Sequence, residues 1–162
     1  MSEVLDYIEI KLPAKAEYVG VVRLTISGLA SRLGYSYDAI EDLKIAVAEA
    51  ATNVVEHAYK DTVGLMGIGC RVFRDKMEII VSDSGQSFNF EDLQKDIGPV
   101  NPNKPVQDLK EGGLGLFLIE SLTDKVEIKQ ESGVVIKMTK FLERDEVEQH
   151  VDGIRSTNAQ HQ

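Results

Sequence analysis

Apolar and polar residues alternate at the start of the chain and then recur at helical spacing. Residues 4–12 alternate, which predicts a strand. Residues 16–33 carry apolar side chains every three or four positions, and Gly34 follows as a helix stop. Ser36 is suited to cap a second helix, whose apolar stripe covers Ile40–Val54. The N-terminal part therefore predicts one strand followed by two amphipathic helices.

The C-terminal half shows shorter apolar runs separated by turn residues. Residues 63–73 and 77–83 predict one strand pair, and residues 124–130 and 133–141 predict another. The apolar run 116–122 comes directly after a group of glycines and predicts a short helix. The element order is therefore strand, helix, helix, strand, strand, long loop, helix, strand, strand.

The segment between Gln86 and Glu111 is the least regular part of the chain. It contains three of the four prolines, and structureless stretches of this length are uncommon in compact domains unless they act as lids. We therefore predict a flexible lid over about residues 86–111. After Leu142 the sequence buries little, so we expect a single domain over residues 1–142 and a flexible polar tail over residues 143–162.

Composition narrows the class of protein. The chain has 162 residues, of which 43% are hydrophobic, enough for one compact domain. A formal net charge of −9 argues against direct binding to nucleic acid, which needs clustered cations. The sequence shows neither a membrane-spanning run nor a signal segment, which predicts a cytoplasmic protein. Cys70 lies in a predicted strand, so we expect a buried structural thiol.

Three short runs carry the candidate chemistry. Glu49 and Asn53 are four residues apart in a predicted helix, so both side chains project from one face. Asp83 ends an apolar strand and is followed by Gly85, where a flat ligand can approach the backbone. The glycine-rich run 112–116 leads into a helix, whose free N–H groups suit phosphates. Each run alone is also typical of a surface helix or a turn, but together they describe a nucleotide pocket.

The order Glu-x-x-x-Asn, Asp-x-Gly-x-x-Phe and Gly-x-Gly resembles the Bergerat-fold (GHKL) ATP-binding family, to which gyrase and histidine kinases belong. Within that family, the run from Glu49 to Tyr59 is similar to the small anti-sigma-factor serine kinases of Gram-positive bacteria, of the anti-sigma-B type. The resemblance covers about residues 4–141. It implies an α/β (α+β) two-layer sandwich, with a mixed, largely antiparallel sheet covered by helices on one face and a flexible ATP lid.

The resemblance also assigns chemical roles. The amide oxygen of Asn53 suits one protein ligand of a Mg²⁺ ion that phosphates and waters otherwise coordinate. Glu49, one helical turn earlier, can act as general base toward a hydroxyl. Asp83 can accept a hydrogen bond from the exocyclic amine of adenine, and Gly85 lets the backbone approach the ring.

The phosphates are expected to lie at the glycine-rich run. Gly113, Leu114 and Gly115 are predicted to contact them, and Lys110 is close enough in sequence to supply charge. The resemblance adds His57 as a phosphate-side contact, although the residue type alone fits a core or surface histidine equally well. The predicted ligands are therefore ATP and Mg²⁺.

Three positions depart from the pattern of the family. Ser87 stands where many members have a second glycine, and Val134 follows Gly133 where many have threonine. Glu111 occupies the place of an arginine that some relatives carry just before the glycines. The departure at Val134 concerns adenine recognition, and the departure at Glu111 concerns the clamp on the γ-phosphate.

The resemblance implies an anti-sigma factor that sequesters a stress-response sigma factor and phosphorylates a serine of its anti-anti-sigma antagonist. It also implies a homodimer and makes Arg23 a candidate partner contact, although an ordinary snorkelling side chain on an apolar helix would look the same. Two alternatives stay open. A histidine-kinase-type ATPase domain needs a helical segment with a phospho-accepting histidine, and a strand near residue 4 leaves little room for one. A nucleotide-gated binding module would bind ATP without transferring phosphate.

Overall fold

The computed structural model describes residues 3–58, 64–83, 91, 97–99, 113–129 and 133–143. Its helices are a 3₁₀ turn (Ala16–Tyr18), α1 (Val19–Leu33), α2 (Tyr37–Ala58) and α3 (Gly113–Leu122). Its strands are β1 (Asp6–Pro13), β2 (Leu65–Val72), β3 (Lys76–Ser82), β4 (Gly98–Pro99), β5 (Lys125–Lys129) and β6 (Val135–Phe141).

The strands form one sheet in the order β1-β2-β3-β6-β5-β4, and each of these neighbouring pairs is antiparallel. Helix α2 packs against both α1 and α3, and it contacts β2, β3 and β6. The predicted α+β sandwich is confirmed. The central helix α2 therefore connects the sheet to both of its neighbours.

The core lies between the helices and one face of the sheet. Every second residue of the central strands points to this face and is buried against apolar residues of the helices. Members of this core include Val22, Ile26, Leu43, Val47, Val54, Met66, Ile68, Ile79, Ile119, Ile136 and Met138. Cys70 belongs to it, and burial together with the charge of Glu78 raises the pKa of its thiol to about 12. The prediction of a buried thiol is confirmed.

The opposite face of the sheet carries a row of ion pairs. Glu78 Oε1 lies 2.9 Å from Arg71 Nη2, and Glu78 Oε2 lies 3.0 Å from Lys137 Nζ. Lys137 Nζ also lies 4.0 Å from Glu127 Oε1. A slip of one residue in any of these strands would turn its charged side chains toward the apolar core. The pairs therefore favour the observed register.

The stop and cap signals of the first two helices act as predicted. Gly34 has a left-handed φ of 93°, and its N–H donates to the carbonyls of Ala30 and Ser31 at the end of α1. Ser36 Oγ accepts the N–H of Ala39 at 3.1 Å in the first turn of α2. The two helices therefore follow each other with a short connection, which sets their packing.

Two elements differ from the prediction. Helix α3 begins at Gly113 and not at Leu116, so the glycines form its first turn. Strand β4 lies within the segment assigned to the lid and pairs with β5. A two-residue strand has no periodicity to detect, and Pro99 is acceptable there because β4 is an edge strand. Most of residues 86–111, and the tail beyond residue 143, lie outside the described residues.

Across the described ranges, no helix has the length and apolar character needed to cross a membrane.

Candidate nucleotide site

Helix α2 places Glu49 and Asn53 beneath the first turn of α3. A side chain at Gly115 would bring its Cβ within 3.1 Å of Glu49 Oε2 and 3.3 Å of Asn53 Nδ2. These distances are shorter than ordinary van der Waals contact, so the backbone of α3 comes this close because residue 115 is a glycine. The structure thus brings together two of the three predicted motifs, which lie about sixty residues apart in the chain.

Asn53 is a buried amide whose donor is unsatisfied within the described part of the chain. Its residue is 6% exposed, and its Nδ2 atom has no hydrogen-bond partner among the described residues. A buried polar atom without a partner costs about 1–3 kcal/mol, so native proteins rarely keep one without a reason. A ligand that pairs with this amide removes the cost. Glu49, one turn earlier, is partly buried and lies on the same helix face.

Asp83 lies directly after β3, where the strand leaves the sheet. Its N–H donates to the carbonyl of Val134 at 3.3 Å. Partial burial raises the pKa of the Asp83 carboxyl above its usual range. Hydrogen bonds from the backbone N–H groups of Val134 and of Asp83 itself oppose this effect but do not cancel it. Asp83 is therefore a hydrogen-bond acceptor in a partly dehydrated place, as base recognition requires.

Sequence reasoning missed the close approach of Gly133 to Asp83. Gly133 has a φ of 129°, and a Cβ built on it would meet the Asp83 carboxylate. The sequence predicts only that Gly133 begins the strand of residues 133–141. The sequence does hold a signal, since a glycine just before a strand often marks a close backbone approach, but it does not reveal the partner. Val134 buries its side chain in the core and approaches Asp83 through its backbone.

The other predicted site residues are described in part or not at all. Gly113 and Leu114 lie in the first turn of α3, and His57 lies in the last turn of α2. Gly85 and Lys110 lie outside the described residues, as do Ser87 and Glu111.

Arg23, the candidate partner contact, is exposed on α1. Its neighbour Leu24 is 70% exposed, and Val21 is also exposed. This part of α1 therefore presents apolar surface beside a cation.

Comparisons with known proteins place this geometry in a family. The family profile described as the histidine kinase-like ATPase domain matches residues 12–140. The serine-protein kinase RsbW of Halalkalibacterium halodurans is 61% identical over 155 residues, which cover 96% of this chain and 95% of that protein. The chain belongs to the RsbW family. RsbW of Bacillus subtilis is 54% identical over 149 residues, covering 91% of this chain and 93% of that protein.

A solved structure supports the fold of this RsbW-family chain. A Mycobacterium tuberculosis protein with RsbU and RsbW domains superposes with a TM-score of 0.59 at 20% identity. The match covers 84% of this chain and 32% of that protein. The resemblance that the sequence motifs indicated is therefore confirmed.

Membership of an ATPase family implies that the chain uses ATP, and the described residues fit that ligand. Asn53 Nδ2, which lacks a partner in the part of the chain that the structure describes, offers a hydrogen-bond donor beside the first turn of α3, whose backbone N–H groups suit phosphates. In the ranges that the structure covers, no group of three or more His, Cys, Asp or Glu side chains is placed to hold a metal ion. A cation near Asn53 would therefore depend on phosphate oxygens and waters for its remaining ligands.

Replacing Asp83 by Asn is expected to abolish ATP-induced stabilisation without lowering the stability of the free protein. The raised pKa means that folding favours the protonated carboxyl. The protonated carboxyl therefore stabilises the folded protein at low pH. This contribution is lost as pH rises through the folded-state pKa, so ionised Asp83 lowers the free energy of unfolding at neutral pH. Asparagine is neutral and removes this cost. Thermal unfolding at neutral pH, with and without ATP, measures both effects.

The matched control is Asp75→Asn, at an exposed carboxylate in the β2–β3 turn. Wild type is expected to be stabilised by ATP more than by GTP, because guanine presents a carbonyl where adenine has an amine. Equal ATP-induced shifts in wild type and Asp83→Asn would contradict the assignment. Equal shifts with ATP and GTP in wild type would contradict it as well.

Proposed function

We propose that this chain transfers the γ-phosphoryl group of ATP to a serine of a partner protein, with Glu49 as general base and Asn53 as a Mg²⁺ ligand. The observation that supports the proposal is the meeting of Glu49, Asn53 and Gly115. It puts a proton acceptor and the Asn53 amide, whose Nδ2 donor has no partner among the described residues, at a helix start suited to phosphates. Membership of the RsbW family supports the serine-kinase chemistry.

In the proposed reaction, the serine oxygen forms a bond to the γ-phosphorus while the bond from that phosphorus to its bridging oxygen breaks. ADP leaves, and the hydroxyl proton moves to the carboxylate of Glu49. Bound Mg²⁺ would neutralise phosphate charge and hold the phosphates in place. The protein contributes mainly position, because phosphoryl transfer depends on alignment and electrostatic stabilisation.

The adenine end is proposed to lie at Asp83. Its carboxylate accepts a hydrogen bond from the exocyclic amine of adenine, and Gly85 allows the backbone to approach the ring. Guanine would present a carbonyl oxygen to the carboxylate, which leaves two acceptors facing each other. The site therefore selects adenine by hydrogen-bond polarity.

For the phosphates, we propose contacts from Gly113, Leu114 and Gly115, with His57 and Lys110 supplying charge or hydrogen bonds. The support is the position of the glycines in the first turn of α3, where backbone N–H groups have no partner within the helix. Loss of ATP affinity in Lys110→Ala would agree with this arrangement.

The proposed partners follow from the anti-sigma resemblance. We infer that the chain sequesters a stress-response sigma factor and phosphorylates its anti-anti-sigma antagonist, and that it acts in the cytoplasm, without contacting nucleic acid or membrane. Arg23 is the proposed partner contact. It is exposed on α1 beside exposed Leu24, which suits a protein surface with an acidic and an apolar group.

A homodimer is expected in solution. Strand β1 is an edge of the sheet, so its outer N–H and C=O groups can pair with a second chain. Tyr7 on this strand is exposed, and so is Leu5, which directly precedes it. Light scattering at micromolar concentration should give about twice the chain mass of 17.9 kDa. A monomer at all concentrations would contradict this prediction.

The test of the proposed function is transfer of labelled phosphate from ATP to a purified antagonist protein. We expect an acid-stable phosphoserine that disappears when the acceptor serine is replaced by alanine. An acid-labile phosphohistidine would favour the histidine-kinase-type alternative. ATP-dependent capture of partners without any transfer would favour a nucleotide-gated binding module and overturn the kinase proposal.

A further inference from the structure

We propose that Gly133 is a positioning residue for Asp83 and thereby a determinant of the preference for adenine. The proposal rests on the proposed role of Asp83 in adenine recognition. Gly133 would then contribute to nucleotide selection, because it determines where the Asp83 carboxylate can lie.

The first observation is steric. The three nearest atoms to a Cβ built on Gly133 are Oδ1, Oδ2 and Cγ of Asp83, with Oδ2 at 2.6 Å and Cγ at 2.8 Å. Real Cβ atoms essentially never come within 3.0 Å of such neighbours. The carboxylate therefore occupies space that any side chain at position 133 would take.

The second observation is the hydrogen bonding beside this contact. Strands β3 and β6 pair Ser82 with Val135, so the next residues outward, Asp83 and Val134, face each other. The N–H of Asp83 donates to the carbonyl of Val134 at 3.3 Å, and the N–H of Val134 donates to the Asp83 carboxylate. The carboxylate is thus held between the backbone of residue 134 and the bare Cα of Gly133.

A methyl group at position 133 would force the Asp83 side chain to rotate about χ1. Rotation moves the carboxylate away from the N–H of Val134 and away from the direction in which it meets the base. Because aspartate is short, no small adjustment farther along the side chain can relieve the contact. The preference for adenine therefore depends on the absence of a side chain at Gly133.

The experiment compares Gly133→Ala with Gly34→Ala. Both glycines have positive φ, 129° and 93°, so alanine strains the backbone at either position, but a Cβ on Gly34 meets no atom of the described residues within 4 Å. We expect Gly133→Ala to raise the KM for ATP about tenfold and to reduce the ATP-over-GTP preference, with kcat changed less than about twofold. Gly34→Ala should lose stability and keep both the KM and the preference.

A double-mutant cycle separates this contact from a general structural effect. In an Asp83→Ala background, Gly133→Ala should cause no further loss of ATP affinity. An unchanged KM and preference in folded Gly133→Ala would overturn the proposal, as would an equal loss in the Asp83→Ala background. If Gly133→Ala does not fold, Asp83→Ala/Gly133→Ala replaces it. Recovery of the fold supports the contact, and failure to recover overturns it.

Failure of the proposed function gives a different result. If Asp83→Asn retains ATP affinity, the adenine assignment itself is wrong, whatever Gly133→Ala does. If Asp83→Asn loses ATP and folded Gly133→Ala keeps it, the adenine assignment stands and the positioning role of Gly133 is refuted.

Discussion

Glu49→Ala is expected to slow phosphoryl transfer to the partner serine by about 10²–10⁴-fold, the usual size of a general-base contribution. ATP binding should change little, because the carboxylate is proposed to act on the serine hydroxyl and not on the nucleotide. The expected signature is a loss in kcat without a matching rise in the KM for ATP. Transfer of labelled phosphate, run beside calorimetry with ATP, separates chemistry from binding.

Two further variants make this experiment specific. Glu49→Gln keeps the size of the side chain and its contact with Gly115 while removing the proton acceptor, so it should lose transfer as Glu49→Ala does. Glu120→Ala removes an exposed carboxylate from α3 and serves as the control for net charge. Full transfer by both Glu49 variants would exclude Glu49 from the mechanism. Loss of ATP binding together with transfer would instead indicate damage to α2.

Asn53→Ala is expected to lose most of the Mg²⁺-dependent part of ATP affinity, about tenfold to a hundredfold, which corresponds to about 1.4–2.8 kcal/mol. The fold should tolerate the change, because the variant removes a buried Nδ2 atom that has no partner among the described residues. Calorimetry with and without Mg²⁺ measures the effect, and thermal unfolding without nucleotide checks the fold.

Thr52→Ala is the matched control for Asn53, since it shortens the neighbouring, partly buried side chain on the same turn of α2. It should retain the difference between the affinities measured with and without Mg²⁺. If Asn53→Ala retains that difference too, Asn53 is not the metal ligand. The unpaired amide would then need another ligand, such as a phosphate oxygen.

The helical part of the site could be predicted because its signals are local. Glu49 and Asn53 share a face of α2 through their spacing alone, and Gly34 and Ser36 bound the helices by backbone chemistry that acts within a few residues. The predicted approach of the glycine run to α2 came from the family pattern and not from spacing. The structure shows how the glycine run approaches α2, namely by the close contact of Gly115 with the side chains of Glu49 and Asn53.

The adenine end could be predicted only in part, because it depends on strand register. The sequence predicts that Asp83 ends a strand, but its contact with Gly133 follows from the pairing of β3 with β6. The departure of Val134 from the family pattern concerns its side chain, whereas its backbone makes the contact with Asp83. Register is a long-range property that short sequence patterns do not encode.

The pairing of β3 with β6 also determines when the pocket can form during synthesis of the chain. Glu49, Asn53 and Asp83 leave the ribosome early, whereas Gly133 and β6 follow about fifty residues after Asp83. Closing so long a connection is a slow step compared with forming α2 or the β2–β3 hairpin. We therefore expect nascent and truncated chains that lack β6 to be unable to hold ATP. The ribosome must therefore have translated beyond β6 before the chain can bind ATP.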